Sequence, residues 1–438
     1  MTGKLLTGES IPSAVPSSVA KPMPTMRALV ACNIGVCLEG FDFIAYSAFA
    51  TIFARLFFPA DDPLISALLV FGGFGVAYVV RPIGGLFWGI YADRAGRKPA
   101  LAALSIAMGA GTLLMALTPP YAAIGLAAPL FILAGRAIQG FSASGEFASA
   151  TAMLVEMAPP HRRTFYASTQ MASQIATIAL AYGIVLVLTE TLSPEAVSAW
   201  GWRAVFLAGA MIGPLGLYMR MHVPESPSFE ASDRARAGRS VPILKQLQGY
   251  RTEILCIAGI VAGSASALYL IFVFLPVFAV QQLGLAGPQV QSATMICAII
   301  EIPIILAVGW LGDRNNPARL LWKIFALTAL LSGPALFWLI DQPSLVRFAA
   351  VQLGLSIFLG LVSGPMPFVI SQLLPVEIRT SGIGLIFNCV AILFGGLAPF
   401  LITAFVGLTG DPHGPAYWAT LTACAGAASS WMIRRRPL

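Results

Sequence analysis

The sequence predicts an all-α membrane protein: twelve transmembrane helices in two pseudo-symmetric six-helix bundles. Three observations predict it. Hydrophobic residues make up 58% of the 438 and charged residues only 10%, with a mean hydropathy of +0.82, more apolar surface than a water-soluble core can bury. The apolar residues fall into segments near the ~20 residues that cross a bilayer. Two polar turns of the first half recur at matching positions in the second.

Residues 1–26 are polar, with Pro12, Pro16, Pro22 and Pro24 and no apolar core, the pattern of a loose tail rather than of a signal peptide or folded domain. Apolar segments then run over 28–57, 64–92, 99–118, 124–156, 165–189, 202–221, 252–282, 290–311, 318–339, 346–374, 381–408 and 415–433. Twelve crossings put both ends on one side. With that side cytoplasmic, 21 of the 26 Lys and Arg lie in inward segments, Arg55, Arg203 and Arg347 lie in outward ones, and Arg81 and Arg136 lie inside spans. Such a bias orients the protein with both termini in the cytoplasm, and it accounts for the net charge of +7 without a nucleic-acid partner.

Residues 223–250 form the one long polar connection, with Pro224, Pro227, Ser226 and Ser228 among alternating charges. The chain therefore divides into a cytoplasmic tail (1–26), an N-terminal bundle (27–222), a cytoplasmic linker (223–250) and a C-terminal bundle (251–438). The bundles echo each other: Asp93-Arg94 recurs as Asp313-Arg314, and Pro159, Arg163 and Thr164 recur as Pro375, Arg379 and Thr380. A parallel repeat of this size is the mark of a two-bundle transporter with its site at the midplane.

The run from Gly84 to Lys98 ends the second span in a short turn that holds Asp93, Arg94, Arg97 and Lys98. Small residues at 84, 85 and 89 allow a neighbouring helix to approach closely. The turn reads as a charged gate, with Glu156 and Arg163 closing the fourth span beside it. Asp313 and Arg314 are its second copy, degenerate because Asn315-Asn316-Pro317 follow.

Inside the spans, Glu39 and Asp42 stand three residues apart on one face of the first helix, roughly 18–22 Å along its axis from Arg27. A lone charge at that depth costs about 2.5–3.5 kcal/mol or more, so the pair faces a cavity or a partner. Arg136 in the fourth span, near Gln139 and Glu146, lies at a depth that can meet Asp42, and a guanidinium can exchange one carboxylate for another. Arg81, about 18 Å along the second span from Asp93, adds a second fixed cation; it is either an anion contact or a pin for Glu146 and backbone carbonyls. In the fifth span Tyr166, Gln170, Ser173, Gln174 and Thr177 form a polar stripe, either helix-helix glue or a binding wall. The second half offers Tyr269, Glu301, Ser363, Gln372 and Asn388.

Cys32, Cys37, Cys256, Cys297, Cys389 and Cys424 all lie in apolar runs without metal-site spacing. They are read as packing residues. His161, His222 and His413 lie in or near loops, and no phosphate-binding loop or Ser-His-Asp set is present, so no cofactor, metal or enzymatic activity is expected.

The pattern G-x-x-x-D-R-x-G-R-K over Gly89–Lys98 is similar to the signature between the second and third spans of the major facilitator superfamily. Leu38-Glu39-x-Phe41-Asp42-Phe43, Arg81-Pro82-Ile83-Gly84, the run from Arg136 to Glu146, Ser173-Gln174 and Phe394-Gly395-Gly396-Leu397-x-Pro399 resemble its metabolite:proton symporters, nearest to the citrate and tricarballylate proton symporters. The resemblance implies a monomeric multi-pass protein of the bacterial inner (plasma) membrane that imports a small carboxylate with protons. It implies proton coupling through Asp42, Glu39, Arg136 and Glu146. Substrate contacts are expected at Arg81, Arg136, Gln139, Gln170, Ser173, Gln174, Tyr269, Glu301, Ser363 and Asn388. The apolar stretch Phe274–Phe278 departs from those symporters, and Glu301 is an acid their pattern does not contain, which leaves shikimate, 2-oxoglutarate or a zwitterionic osmolyte open as substrate. A drug:proton antiporter is disfavoured because Ile175–Leu188 holds only Gly183 of the expected Gly-Pro motif. A non-transporting sensor is disfavoured because no long soluble stretch accompanies the spans.

Overall fold

The computed structural model describes residues 26–61, 63–95, 97–144, 146–221 and 247–435. Among them every regular element is helical, as expected of a chain that must satisfy its backbone groups within each segment in lipid. Helix α1 (Met26–Ala48) turns at Phe49 and continues as Ala50–Phe57. It is followed by α2 (Pro63–Ala95), α3 (Arg97–Leu117), α4 in two pieces (Ala127–Ser142 and Glu146–Met157), α5 (Arg163–Thr191) and α6 (Trp202–Met221). The second half holds α7 (Arg251–Gln281), α8 (Gly287–Gly312), α9 (Pro317–Asp341), α10 (Leu345–Ser371), α11 (residues 376–409) and α12 (Gly414–Ile433). These match the twelve predicted segments with shifted ends. Seven runs among the described residues qualify as spans by length and apolarity alone. Residues 1–25 of the predicted tail, residue 222 at the end of the predicted N-terminal bundle and residues 223–246 of the predicted linker lie outside the described residues, and Met26, the last residue of the predicted tail, is the first of α1.

Helix ends follow local chemistry. Asn316 caps α9 by accepting from the Arg319 N–H at 3.0 Å, and Ser344 caps α10 by accepting from the Arg347 N–H at 3.3 Å. Gly410, at φ +70°, closes α11 in the left-handed conformation.

Packing inside the first half depends on close approach. At the α2–α4 crossing, a Cβ on Gly84 would lie 2.1 Å from the Phe141 carbonyl oxygen, and one on Gly140 would lie 1.8 Å from that of Ala77. The helix predicted to press on Gly84 is therefore α4, and backbone contact supplies the dispersion attraction that lipid does not. The halves meet along two long seams. In one, α5 runs antiparallel to α8, with Thr164 on Gly312, Ser168 on Gly309 and Met295 on Gly183. In the other, Tyr78 of α2 packs on Gly396 of α11, and Leu397 packs on Gly75.

Three irregularities lie along this interface. The fourth segment, predicted as one span over 124–156, is interrupted at Ala143 and Ser144. There Asn388 of α11 donates to the Ser144 carbonyl at 2.5 Å, and Phe387 stacks on Phe147 with ring centroids 4.2 Å apart. A π turn at Leu270–Phe274 widens α7, and another at Ile392–Gly396 widens α11. The α7 turn presents three carbonyls to three helices. Ile271 accepts from Gln352 Nε2 of α10 at 3.4 Å, Phe272 from the Tyr182 hydroxyl of α5 at 2.6 Å, and Val273 from the Ser47 hydroxyl of α1 at 3.4 Å.

Candidate functional site

The α2–α4 crossing positions two cations. Arg81 stands one turn from Ala77 and Arg136 one turn from Gly140, and both are buried, at 3% and 0% exposure. Phe43 of α1 lies against both guanidinium groups, its ring centroid 4.2 Å from the central carbon of Arg136 and 4.9 Å from that of Arg81. Tyr46 and Phe74 add ring contacts to Arg136 at 4.6 and 5.2 Å, and Tyr78 adds one to Arg81 at 4.1 Å. Cation–π contacts are worth about 2 kcal/mol or more when desolvated. They hold a guanidinium in place without neutralising it, because a ring offers a quadrupole and not an anion.

Arg136 also donates from Nη1 to Gln139 Oε1 at 2.9 Å, and Gln139 Nε2 donates to Thr112 Oγ1 of α3 at 2.9 Å. Gln139 is thus the brace that fixes the Arg136 fork between α3 and α4.

The other predicted residues separate into groups. Glu39, Asp42 and Glu146 have side chains outside the described residues; the backbone sets Asp42 beside Phe43, and Glu146 begins the second piece of α4. On α5, the half-buried Gln174 lies against Gly40 of α1. The Ser173 carbonyl accepts from the Thr177 hydroxyl at 2.9 Å and from the Cys37 thiol at 3.5 Å. This part of the stripe therefore faces α1 at the level of Glu39 and Asp42. Gln170 is occupied at both ends, accepting from the Thr151 hydroxyl at 2.7 Å and donating to the Phe147 carbonyl at 3.1 Å. It ties α5 to α4.

From the second half, Tyr269 joins the arginine cluster. Its hydroxyl hydrogen-bonds that of Tyr78, and its ring meets Phe74 edge-on at 5.6 Å. Asn388 completes the break in α4. Ser363 is buried in α10, and Glu301 is buried in α8 with its methylene chain against Gly360. Neither shares a hydrogen bond or ion pair with the arginine cluster among the described residues.

At the end of the molecule where α5 begins and α8 ends, Asp313 reaches across the halves. Its carboxylate accepts from the backbone N–H of Thr164 at 2.7 Å and of Phe165 at 3.0 Å, capping α5 where the helix dipole favours a negative charge. Arg314 lies over the Trp310 ring at 3.7 Å. Glu156 and Arg163 are half-buried nearby in sequence, and the side chains of Asp93, Arg94 and Arg97 lie outside the described residues.

Sequence reasoning did not single out Tyr46, Phe74 and Tyr78, and it named Phe43 only within a motif. The signal was available: aromatics at three- and four-residue spacing on the two helices that also carry Asp42 and Arg81.

The model of the Major Facilitator Superfamily matches residues 33–399. The chain is 35% identical over 411 residues to the citrate-proton symporter of Salmonella typhi, covering 93% of this chain and 94% of that protein. It is 32% identical over 403 residues to a putative proline/betaine transporter of Staphylococcus aureus (strain COL), covering 91% and 86%. Its fold resembles the crystal structure of a D-xylose-proton symporter, with a TM-score of 0.70 over 94% of this chain and 97% of that one, at 18% identity. That last likeness concerns the fold alone. With the family model spanning most of the sequence and the paired six-helix halves agreeing with it, the chain belongs to the Major Facilitator Superfamily and is a membrane transporter, not an enzyme.

Proposed function

We propose that the protein is a proton-coupled symporter that imports a small carboxylate, of the citrate or tricarballylate kind, by alternating access across the bacterial inner membrane, as a monomer with both termini cytoplasmic. The observation that carries this reading is the pair of buried guanidinium groups, Arg81 and Arg136, held on the shared ring of Phe43. Two fixed cations in a dry interior suit a di- or tricarboxylate, since a guanidinium fork binds carboxylate bidentately. The name of the 35% identical relative supports the same substrate class and proton coupling.

In this mechanism Arg136 is shared between substrate and Asp42. Substrate that draws the guanidinium away leaves the Asp42 carboxylate facing an apolar interior, and a proton then neutralises it. Binding and protonation are one linked equilibrium, each strengthening the other by the same factor. Residues 27–222 and 251–438 act as the two rocking bodies, joined by 223–250. On the outer side the closed state rests on Ser47 and Tyr182 holding the α7 π turn; on the cytoplasmic side it rests on Asp313 capping α5. Transport exchanges one set of contacts for the other.

A second reading, a zwitterionic metabolite, is favoured by the 32% identical relative and by the acid at Glu301. Uptake of labelled tricarboxylates, dicarboxylates and betaine into proteoliposomes, with and without an inward proton gradient, tests both. Gradient-dependent accumulation of a carboxylate supports the first reading, accumulation of betaine alone supports the second, and accumulation of neither rejects both.

A further inference from the structure

Glu301 is the single charged residue of α8. The helices packed against it offer no counter-ion at its level. α5 carries charge only at Arg163 and Glu190, its two ends; α10 carries it only at Arg347, in its first turn; and the last piece of α7 (Leu275–Gln281) carries none. Cys297, one turn back on α8, is the titratable side chain beside it. Glu301 is 0% exposed, and neither of its carboxyl oxygens has a hydrogen-bond partner among the described residues. Gly360 makes the space: a Cβ there would stand 3.0 Å from Glu301 Cγ.

The seam between α8 and α10 continues the polar character. The two helices run parallel, with Thr294 opposite Gln352 at 2.9 Å, Glu301 opposite Gly360, and Ile305 opposite Gly364. Ser356 lies one turn from both Gln352 and Gly360, buried, with its hydroxyl unpartnered among the described residues; the Gln352 Oε1 is likewise unpartnered. The Gln352 amide in turn holds the Ile271 carbonyl of the α7 π turn. Glu301, Ser356 and Gln352 thus form a file of unsatisfied polar atoms that ends at a contact of the outer closure.

An ionised carboxylate without a cation or donor is far more costly to bury than a neutral acid. The packing around Glu301 therefore accommodates the acid form. We propose that Glu301 is a second proton-binding site, carrying a proton in this arrangement and exchanging it with water along Ser356 and Gln352 when the α7 π turn is released. The exchange breaks the carboxyl O–H bond and passes the proton to a water molecule, leaving a carboxylate that is tolerated only while water is present. This inference rests on the proton-coupled reading above and adds a residue in the half opposite Asp42.

Infrared difference spectra of the purified full-length protein at neutral pH test it without requiring transport. The C=O stretch of a protonated carboxylic acid is expected in the parent and missing from Glu301→Gln. It should shift, without disappearing, in Gly360→Ala, where a methyl group crowds the same side chain. In proteoliposomes, Glu301→Gln should lower steady accumulation by about tenfold per pH unit of gradient, the loss of one coupled proton. A band unchanged by both substitutions overturns the proposal, as does unchanged accumulation in a transporting variant. If Glu301→Gln does not fold, the Gly360→Ala shift decides. A parent that moves substrate without protons sinks the symport reading, while the infrared band still judges Glu301.

Discussion

Substituting Asp313 and Tyr182 separately should push the transporter in opposite directions. Asp313→Ala deletes two hydrogen bonds to one carboxylate, at 2.7 and 3.0 Å, that tie the second half to the start of α5. Bonds to charged groups contribute about 1.5–3 kcal/mol each. Asp313 is half-buried, so water recovers part of that, and a combined loss near 2 kcal/mol corresponds to roughly thirtyfold in the equilibrium between closed and open cytoplasmic sides. Tyr182→Phe removes one buried neutral bond of 2.6 Å to the Phe272 carbonyl, about 0.5–1.5 kcal/mol, or roughly two- to thirteenfold toward opening on the outer side. Spin labels at the exposed positions 161 and 315 report the side proposed as cytoplasmic, and labels at the exposed positions 61 and 282 report the side proposed as outer. Asp313→Ala should lengthen the first distance and leave the second short, and Tyr182→Phe should do the reverse. If both substitutions lengthen the same pair, or neither moves either, the assignment of these contacts as opposed closures is wrong.

Further expectations concern charge. Arg81→Gln should remain folded and bind carboxylate about ten- to a hundredfold more weakly by calorimetry, and binding equal to the parent's would leave Arg81 a purely structural role. Asp42→Asn should keep substrate binding and counterflow exchange but lose accumulation; a variant that still concentrates substrate on a proton gradient passes the role to Glu39, then to Glu146. His413 in the loop before α12 faces a carboxylate at each ring nitrogen, Asp411 at 2.8 Å and Asp341 at 2.9 Å, and when protonated donates to both. Burial lowers its pKa, but the bonds to Asp341 and Asp411 outweigh that and hold it above the ordinary value. Its stabilising contribution is therefore complete below about pH 6.5 and fades as pH rises through the raised value. The difference in thermal midpoint between the parent and His413→Gln should accordingly be larger at about pH 5 than at about pH 9. For orientation, an impermeant thiol reagent applied to intact cells should label a lone cysteine at 411 and spare one at 235.

Hydropathy made the twelve segments legible, because spanning lipid demands long apolar helices whatever the tertiary context. The glycine at 84 was legible for a similar reason: a residue that admits a backbone contact does so at any crossing. The irregularities were not. Nothing in Leu270–Phe274 announces a π turn and nothing in Ala143-Ser144 announces a break, and the side chains that bond them come from elsewhere, Tyr182, Ser47 and Gln352 in one case and Asn388 in the other. The α5 stripe shows the same limit. Spacing could not tell glue from binding wall, and the structure assigns Gln170 to α4 while Gln174 lies against α1. Arg81 and Arg136 stood out as charges in apolar runs; the spacing of Phe43, Tyr46, Phe74 and Tyr78 was also legible, but their convergence on the two guanidinium groups emerges only when α1, α2 and α4 are packed.

The interrupted turn of α4 ties hydration to domain motion. Its Ser144 carbonyl is bonded by Asn388 from the opposite half, under the flat stack of Phe387 on Phe147. When the halves part on that side, the rings separate and the carbonyl loses its amide donor, and a bare backbone acceptor in an apolar interior draws in a water molecule. That water arrives about 7.5 Å along the helix axis from Gln139, the brace of Arg136.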